Sequence, residues 1–302
     1  MNEGELVARL RELFPRAGDD AAVIGEQVIT TDMLIEDVDF TRSIDTRFIA
    51  RKSLAVNLSD LAAMGARPLH AVVALGVPSW LDVIRFFDAI KEAANGWQIE
   101  IVGGDLSKAD KLIIAVTAVG EAKQPLMRSG ARVGDRVYVS RPIGGSAAGL
   151  LFLQKPPETP LFTQREVVES AIRRHVDPEP ELELGQRLVG LATSCIDISD
   201  GLSTDLHHLC DASQAGAQIE RARIPIFPGL AEARLGIDMR QAVLHGGEEY
   251  ALLFTSPLRE AELSAKVRRP VYAIGRITAA REVLLDGEPL EAGGFDHFER
   301  KM

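Results

Sequence analysis

"CIDISDGLSTDL", residues 195–206, reads as a short strand that runs into a helix. Ile196 and Ile198 alternate with Asp197 and Ser199, the period-two pattern of a half-buried strand. Asp200, Gly201 and Asp205 follow, and an apolar helix begins. Carboxylates crowded at the end of a core strand repel. Two of them about 4 Å apart cost about 4 kcal/mol at an effective dielectric of about 20. A chain that keeps them there has a use for the charge, or a counter-charge to offset it.

On either side of this stretch, strand-like and helix-like segments alternate. "QVITTD" (27–32), "HAVVALGV" (70–77), "IEIVGG" (99–104) and "KLIIAVTAVGE" (111–121) read as strands. "DTRFIARKSLAVNLSDLAAMG" (45–65) reads as a long helix closed by Gly65, and "SWLDVIRFFDAIKEAANG" (79–96) as a second helix ending at Gly96. "DRVYVS" (135–140), "YALLFT" (250–255), "VYAIGRI" (271–277) and "EVLLDG" (282–287) continue the mixed style. "QKPPETPLFTQ" (154–164) and "DPEPELELG" (177–185) read as surface loops. The expected class is α+β (α/β mixed) in two domains, 1–140 and 141–302, with no short-period repeat.

The 302 residues are 46% hydrophobic and 26% charged, and 34 basic against 44 acidic side chains leave a net charge of −10. That balance argues against nucleic-acid or anionic-membrane partners. "MNEGELVARLRELF" reads as an amphipathic helix rather than a signal peptide, and no apolar run reaches the ~18 residues of a membrane span. The two cysteines, Cys195 and Cys210, read as buried thiols in a cytoplasmic protein.

The acids recur where apolar segments stop. "VITTD" closes on Asp32 and "IEIVGGD" on Asp105, and "GDDAAV" supplies Asp19 and Asp20. On the long helix Ser53, Asn57, Asp60 and Met64 share one face amid apolar neighbours. Each acid has an ordinary explanation. Asp60 pairs with Arg51 or Arg67 or caps a neighbouring helix; Asp200 caps the helix after it; Asp105 closes a Gly-Gly turn. If instead they converge, they require divalent cations or raised pKa values. Oxygen donors alone suit Mg²⁺ or Ca²⁺, and carboxylate-bound Mg²⁺ keeps room for phosphate oxygens. No G-x-x-x-x-G-K-[ST] loop and no kinase H-R-D occurs, so a nucleotide site here has another design. Gly103–Gly104 and the small-residue helix start "GGSAAG" (144–149) are candidate anion sites, and Arg128 a candidate phosphate partner.

Taken in order, "GDDAAV", "TTDMLIEDVDF", "NLSDLAAMGARP", "VGGDLS", "RSGARVGD", "CIDISDGLSTDL", "HGGEEYALLFT" and "GGFDHF" resemble the thiamine-monophosphate kinases, from about residue 18 to 298. These belong to a superfamily with aminoimidazole ribonucleotide synthetase, selenophosphate synthetase and a hydrogenase-maturation enzyme. The resemblance implies a two-domain fold. An N-terminal domain binds ATP and Mg²⁺ and pairs its sheet with that of a second copy in a homodimer, and a C-terminal α/β domain completes the site. It implies Mg²⁺-dependent in-line transfer of the ATP γ-phosphoryl group to thiamine phosphate, with several ions and no phospho-enzyme.

Position by position, it implies metal ligands at Asp20, Thr30, Thr31, Asp32, Asp60, Asp105, Asp197 and Asp200. ATP contacts fall at Gly104, Asp105, Arg128 and Ser199, and acceptor contacts at Asp39, Glu248 and Phe295. No side chain is implied as an acid–base catalyst, since a phosphate nucleophile is already ionised. Four positions depart from the family pattern: Asp39 stands for a histidine, Gly145 for the acid of a G-D-S run, Glu249 for an aspartate, and the acid-rich 177–181 for a segment richer in arginine. The selenophosphate and hydrogenase-maturation relatives need a reactive or terminal cysteine, and this chain ends "ERKM". A Mg–ATP-binding homologue with altered acceptor or no turnover is the alternative.

Overall fold

The computed structural model describes residues 3–14, 17–156, 162–233 and 235–295. Helix α1 (Glu3–Leu13) leads into strands β1 (Ala22–Ile24) and β2 (Gln27–Ile35) and helix α2 (Thr46–Ala63). Then come β3 (Arg67–Val77), α3 (Val83–Trp97), β4 (Glu100–Lys108) and β5 (Ile113–Glu121). These strands form one five-stranded sheet in the order β1-β2-β5-β3-β4, in which only the β3–β4 pair is parallel. The chain continues through β6 (Arg136–Val139), α4 (Gly145–Gln154), α5 (Phe162–Val176), α6 (Leu182–Leu188), β7 (Ser194–Asp197), α7 (Leu202–Ser213) and β8 (Gly216–Ile219). It ends with β9 (Leu252–Ser256), α8 (Glu260–Val267), β10 (Tyr272–Thr278), β11 (Val283–Leu285) and β12 (Glu288–Pro289). The second sheet runs β12-β11-β8-β10-β6-β9-β7, and only β11–β8 is parallel. Strand β6, although it precedes residue 140, is an inner strand of this second sheet.

Helix α2 is the pivot. Asp45 caps it, its carboxylate accepting the Arg47 N–H at 2.9 Å, and Gly65 at φ +63 follows its end, a left-handed conformation that favours glycine. Leu54, Leu58 and Leu61 are fully buried against the first sheet. Each such leucine contributes about 1.5–3 kcal/mol. The other side of α2 packs on β7, α5 and α6 of the second half. A Cβ added to Gly185 of α6 would lie 2.0 Å from the Ala62 carbonyl oxygen, so the two helices touch backbone to backbone.

Three expectations change. Helix α3 passes through Gly96 and is capped by Gln98 in the left-handed region. Strands β2 and β4 run on past Asp32 and Asp105, so these acids stand within strands rather than at their ends. The segment 177–185 is an anchor rather than a surface loop. The side chains of Asp177 and Glu181 are 7% and 3% exposed, paired with Arg51 and Arg173 and with Arg141 and Arg269 respectively. Proline and acid content signals a loop, but local composition carries no record of the arginines that cover it.

Candidate functional site

Three of the expected acids meet across the two halves. Asp20 precedes β1, Asp60 lies on α2 and Asp197 ends β7, and one oxygen from each falls within 4.8 Å of the others. Asp20 and Asp197 are buried. Asp60 accepts a short hydrogen bond from the Thr30 hydroxyl, and Asp197 accepts one from Ser59. Arg128 stands 2.6 Å from Asp20 Oδ1, and its main-chain N–H points at both oxygens of Asp19, at 3.1 and 3.2 Å. Asp32, on the same face of β2 as Thr30, donates its N–H to Asn57 Oδ1 at 3.0 Å.

The electrostatics follow from this crowding. Burial raises Asp20 to about 7 against the pull of Arg128, with Asp197 and Asp19 adding to the rise. Burial raises Asp32 to about 6, with Asp20, Asp39 and Asp200 adding to it. Asp197 is raised to about 6 by burial, against Ser59 and Arg128. Asp60 goes well above the usual carboxylate range through burial and then Asp32, Asp197 and Asp20. Arg128 would lose basicity by burial, but Asp20, Asp19 and Asp197 hold it protonated. One arginine for this many acids leaves the site short of positive charge.

Asp20 Oδ2 is buried with no hydrogen-bond partner among the described residues. A buried oxygen without a hydrogen bond, on a carboxylate gathered with two others, fits a hard divalent cation, and the all-oxygen donor set suits Mg²⁺. Neither ordinary partner read for Asp60 is used: Arg51 pairs with Asp177 and Glu179, and Arg67 with Glu121.

Other expected residues lie elsewhere. The Thr31 hydroxyl donates to the Val116 carbonyl and accepts from Thr117 on the opposite face of the first sheet. Asp105 shares the cross-strand row Met33–Ala115–Ala74–Asp105 on that open face, whereas Gly104 shares the core-facing row of Asp32, Val116 and Val73. Asp39 Oδ2 accepts the Ile35 N–H at 2.7 Å and so ties the turn after β2. The main-chain N–H groups of Gly144 and Ser146, read as an anion site, are both taken at 2.8 Å by the Glu249 carboxylate.

A second group forms at the start of α7, where Asp200, Asp205 and His208 offer ligand atoms within 4.8 Å. Gly201, not Asp200, occupies the helix cap. Asp205 Oδ2 accepts the N–H groups of Asp200 and Gly201, at 3.2 and 3.0 Å. Two loops close on this turn: the Glu248 N–H donates to the Ser199 carbonyl at 2.7 Å, and the Phe295 N–H to the Asp200 carbonyl at 3.1 Å. Glu248 and Tyr250 both hold positive φ, +59 and +49, so the "GGEEY" loop is strained as well as packed. Phe295 is 44% exposed.

Sequence reasoning missed Lys52 and His175, which flank the Glu248 carboxylate, and gave Glu249 no structural part. A lysine on an apolar helix was the available signal. Clefts of about 590 and 750 Å³ lie at the junction of the halves, away from the acids. Their arginines are already paired, Arg67 with Glu121, Arg187 with Glu183, and Arg141 and Arg269 both with Glu181.

Comparison with known proteins agrees with this architecture. Residues 18–122 match the AIR synthase related protein N-terminal domain and residues 132–286 its C-terminal domain. The thiamine-monophosphate kinase of Escherichia coli (strain K12) is 37% identical over 93% of this chain and 91% of its own. A solved complex of AaThiL with AMPPCP and TMP superposes with a TM-score of 0.90 at 32% identity, covering 98% of this chain and 97% of that one. The thiamine monophosphate kinase of Aquifex aeolicus gives a TM-score of 0.86 at 31% identity, covering 96% and 100%. Two sheets bridged by one buried helix, acids meeting across them and full-length relatives of this kind place the chain in the thiamine-monophosphate kinase family, within the AIR synthase-related superfamily.

Proposed function

We propose that this chain transfers the γ-phosphoryl group of ATP to thiamine monophosphate, yielding thiamine diphosphate and ADP. The observation that carries the proposal is the meeting of Asp20, Asp60 and Asp197, drawn from both halves, with a buried Asp20 oxygen that has no hydrogen-bond partner among the described residues. Mg²⁺ held there would offset the charge of two anionic substrates brought together. Asp20, Asp60 and Asp197 hold it, with Thr30, Asp32 and Asp200 close by. Arg128, Ser199 and the backbone at Gly104 serve the nucleotide. Thr31 and Asp105 have no part in the trio; a ligand role for them needs a second ion on the open face of the sheet.

Glu248 and Phe295 converge on the Ser199–Asp200 turn and serve the acceptor: the carboxylate accepts hydrogen bonds from its aminopyrimidine, and the ring faces its cationic thiazolium. Asp39, tied into the turn after β2, borders the acceptor side. An ionised phosphate needs alignment more than a general base.

The same reading pairs two copies through the open face of the first sheet, where Met33 and Val72 are exposed. It divides the chain between β5 and β6 rather than at residue 140, because β6 belongs to the second sheet. The test is incubation with ATP, Mg²⁺ and thiamine monophosphate, measuring thiamine diphosphate and ADP. Stoichiometric formation of both is the expected result. Nucleotide binding without product would favour a Mg–ATP-binding homologue, and product from free thiamine would change the acceptor.

A further inference from the structure

The Glu248 carboxylate is gripped from two helices. Lys52 Nζ, on α2, lies 2.6 Å from Oε1, and His175 Nδ1, on α5, lies 3.2 Å from Oε2. The Ser146 hydroxyl is 3.1 Å from the same His175 nitrogen. Lys52 and His175 are almost wholly buried, while 28% of the Glu248 side chain remains exposed. The backbone of the loop is fastened too. Arg141 donates to the Glu249 and Tyr250 carbonyls at 2.9 and 2.6 Å, and Glu249 is pinned to the start of α4.

The loop is therefore held in place without Lys52. What Lys52 adds is a charge from the first half that fixes where the carboxylate points. Burial would raise the pKa of Glu248, yet Lys52 and then His175 bring it below the usual range. A lysine surrendered to the interior costs free energy unless it is paired, and here its pair is the partly exposed acid of the strained loop.

We propose that Lys52 is a positioning residue that aims the ionised Glu248 at an amino-bearing heterocycle on the acceptor. The proposal rests on the acceptor reading above and deepens it. Lys52 engages Oε1, which also accepts from the Tyr250 hydroxyl at 3.5 Å, and His175 engages Oε2, whose second lone pair remains for a donor on the ligand. Lys52 touches no reacting atom. Its loss therefore weakens acceptor binding rather than phosphoryl transfer.

The experiment is steady-state kinetics of Lys52→Met, Lys52→Arg, Glu248→Gln and the Lys52→Met/Glu248→Gln double variant. Lys52→Met is expected to raise the KM for thiamine monophosphate about tenfold or more, the loss of one charge-assisted contact, with kcat and the KM for ATP nearly unchanged. Lys52→Arg should restore most of the affinity. In the Glu248→Gln background Lys52→Met should add nothing, because it acts through Glu248. The double variant also strands no buried charge, so it reports even where Lys52→Met folds poorly.

An unchanged KM in Lys52→Met would overturn the proposal, as would a full effect persisting in the Glu248→Gln background. Wild-type protein that binds thiamine monophosphate by calorimetry without turnover would refute the activity alone. The same variants, read by calorimetry, then decide the role of Lys52. Wild-type protein that does not bind thiamine monophosphate overturns both.

Discussion

The hydroxyl of Ser59, on α2 of the first half, donates to Oδ2 of Asp197, at the end of β7 in the second, at 2.5 Å. Both side chains are buried. The bond ties the halves together at the point where the acids meet. Ser59→Ala should cost about 1.5–3 kcal/mol, the range for a buried hydrogen bond to a charged group. A shift of the urea midpoint at unchanged m-value checks it. A midpoint equal to wild type would mean that the two halves are not joined through this contact.

Asp60 sits among Asp32, Asp197 and Asp20 and accepts a hydrogen bond from the Thr30 hydroxyl. Asp60→Asn should leave the metal-free protein as stable as wild type or more so, because it removes a repelled charge. With Mg²⁺ and a non-hydrolysable ATP analogue the stabilisation should shrink, by about 1.4 kcal/mol for each tenfold loss of affinity. Thermal unfolding with and without Mg²⁺–nucleotide measures both. An undiminished response would remove Asp60 from the metal site.

Much of the frame is legible in sequence because helix and strand signals are local. The apolar wrap of 45–65 and its closing glycine identify α2, and the period-two runs identify the strands. The kind of chemistry is legible too, since oxygen-only acids at several segment ends point to a hard cation. Which acids meet is not. Asp32 and Asp105 look alike as segment-ending acids, yet register sends Asp32 toward α2 and Asp105 to the open face. One residue of strand offset decides the face, and the pairing that sets it comes from strands far along the chain. Lys52 and Glu249 escaped for a related reason. A lysine on a helix and an acid in a loop look solvent-facing until their partners are known.

Asp39 holds the turn after β2 and adds to the charge that raises Asp32. Asparagine keeps an oxygen to accept the Ile35 N–H and discards the charge. Asp39→Asn should therefore leave stability within about 0.5 kcal/mol. It should lower the KM for thiamine monophosphate, since an anionic acceptor no longer meets a carboxylate. Asp39→His should lower that KM further by supplying a donor. Initial rates over a range of acceptor concentrations decide it, and a KM that holds steady or rises in both variants would show that Asp39 lies away from the acceptor.

His175 is buried against one oxygen of Glu248 while Lys52 takes the other, and burial, then Lys52, lowers its pKa to about 4 in the folded chain. The unfolded chain takes up this proton near pH 6.5, the ordinary value for histidine. Between these limits the unfolded state binds more protons than the folded one, so stability falls as the pH falls. The contribution is complete above pH about 6.5 and amounts to on the order of 3 kcal/mol lost by pH about 4. His175→Gln keeps a hydrogen-bonding group beside Ser146 but has no proton to take up. Urea unfolding at pH 7.5, 6.5, 5.5 and 4.5, roughly spanning that window, should show the wild-type stability dropping toward the variant's as the pH falls. Parallel curves would mean that His175 titrates in the fold as it does in the unfolded chain, and wild-type stability rising relative to the variant as the pH falls would mean that it is protonated in the fold, with Glu248 held by two cations instead of one.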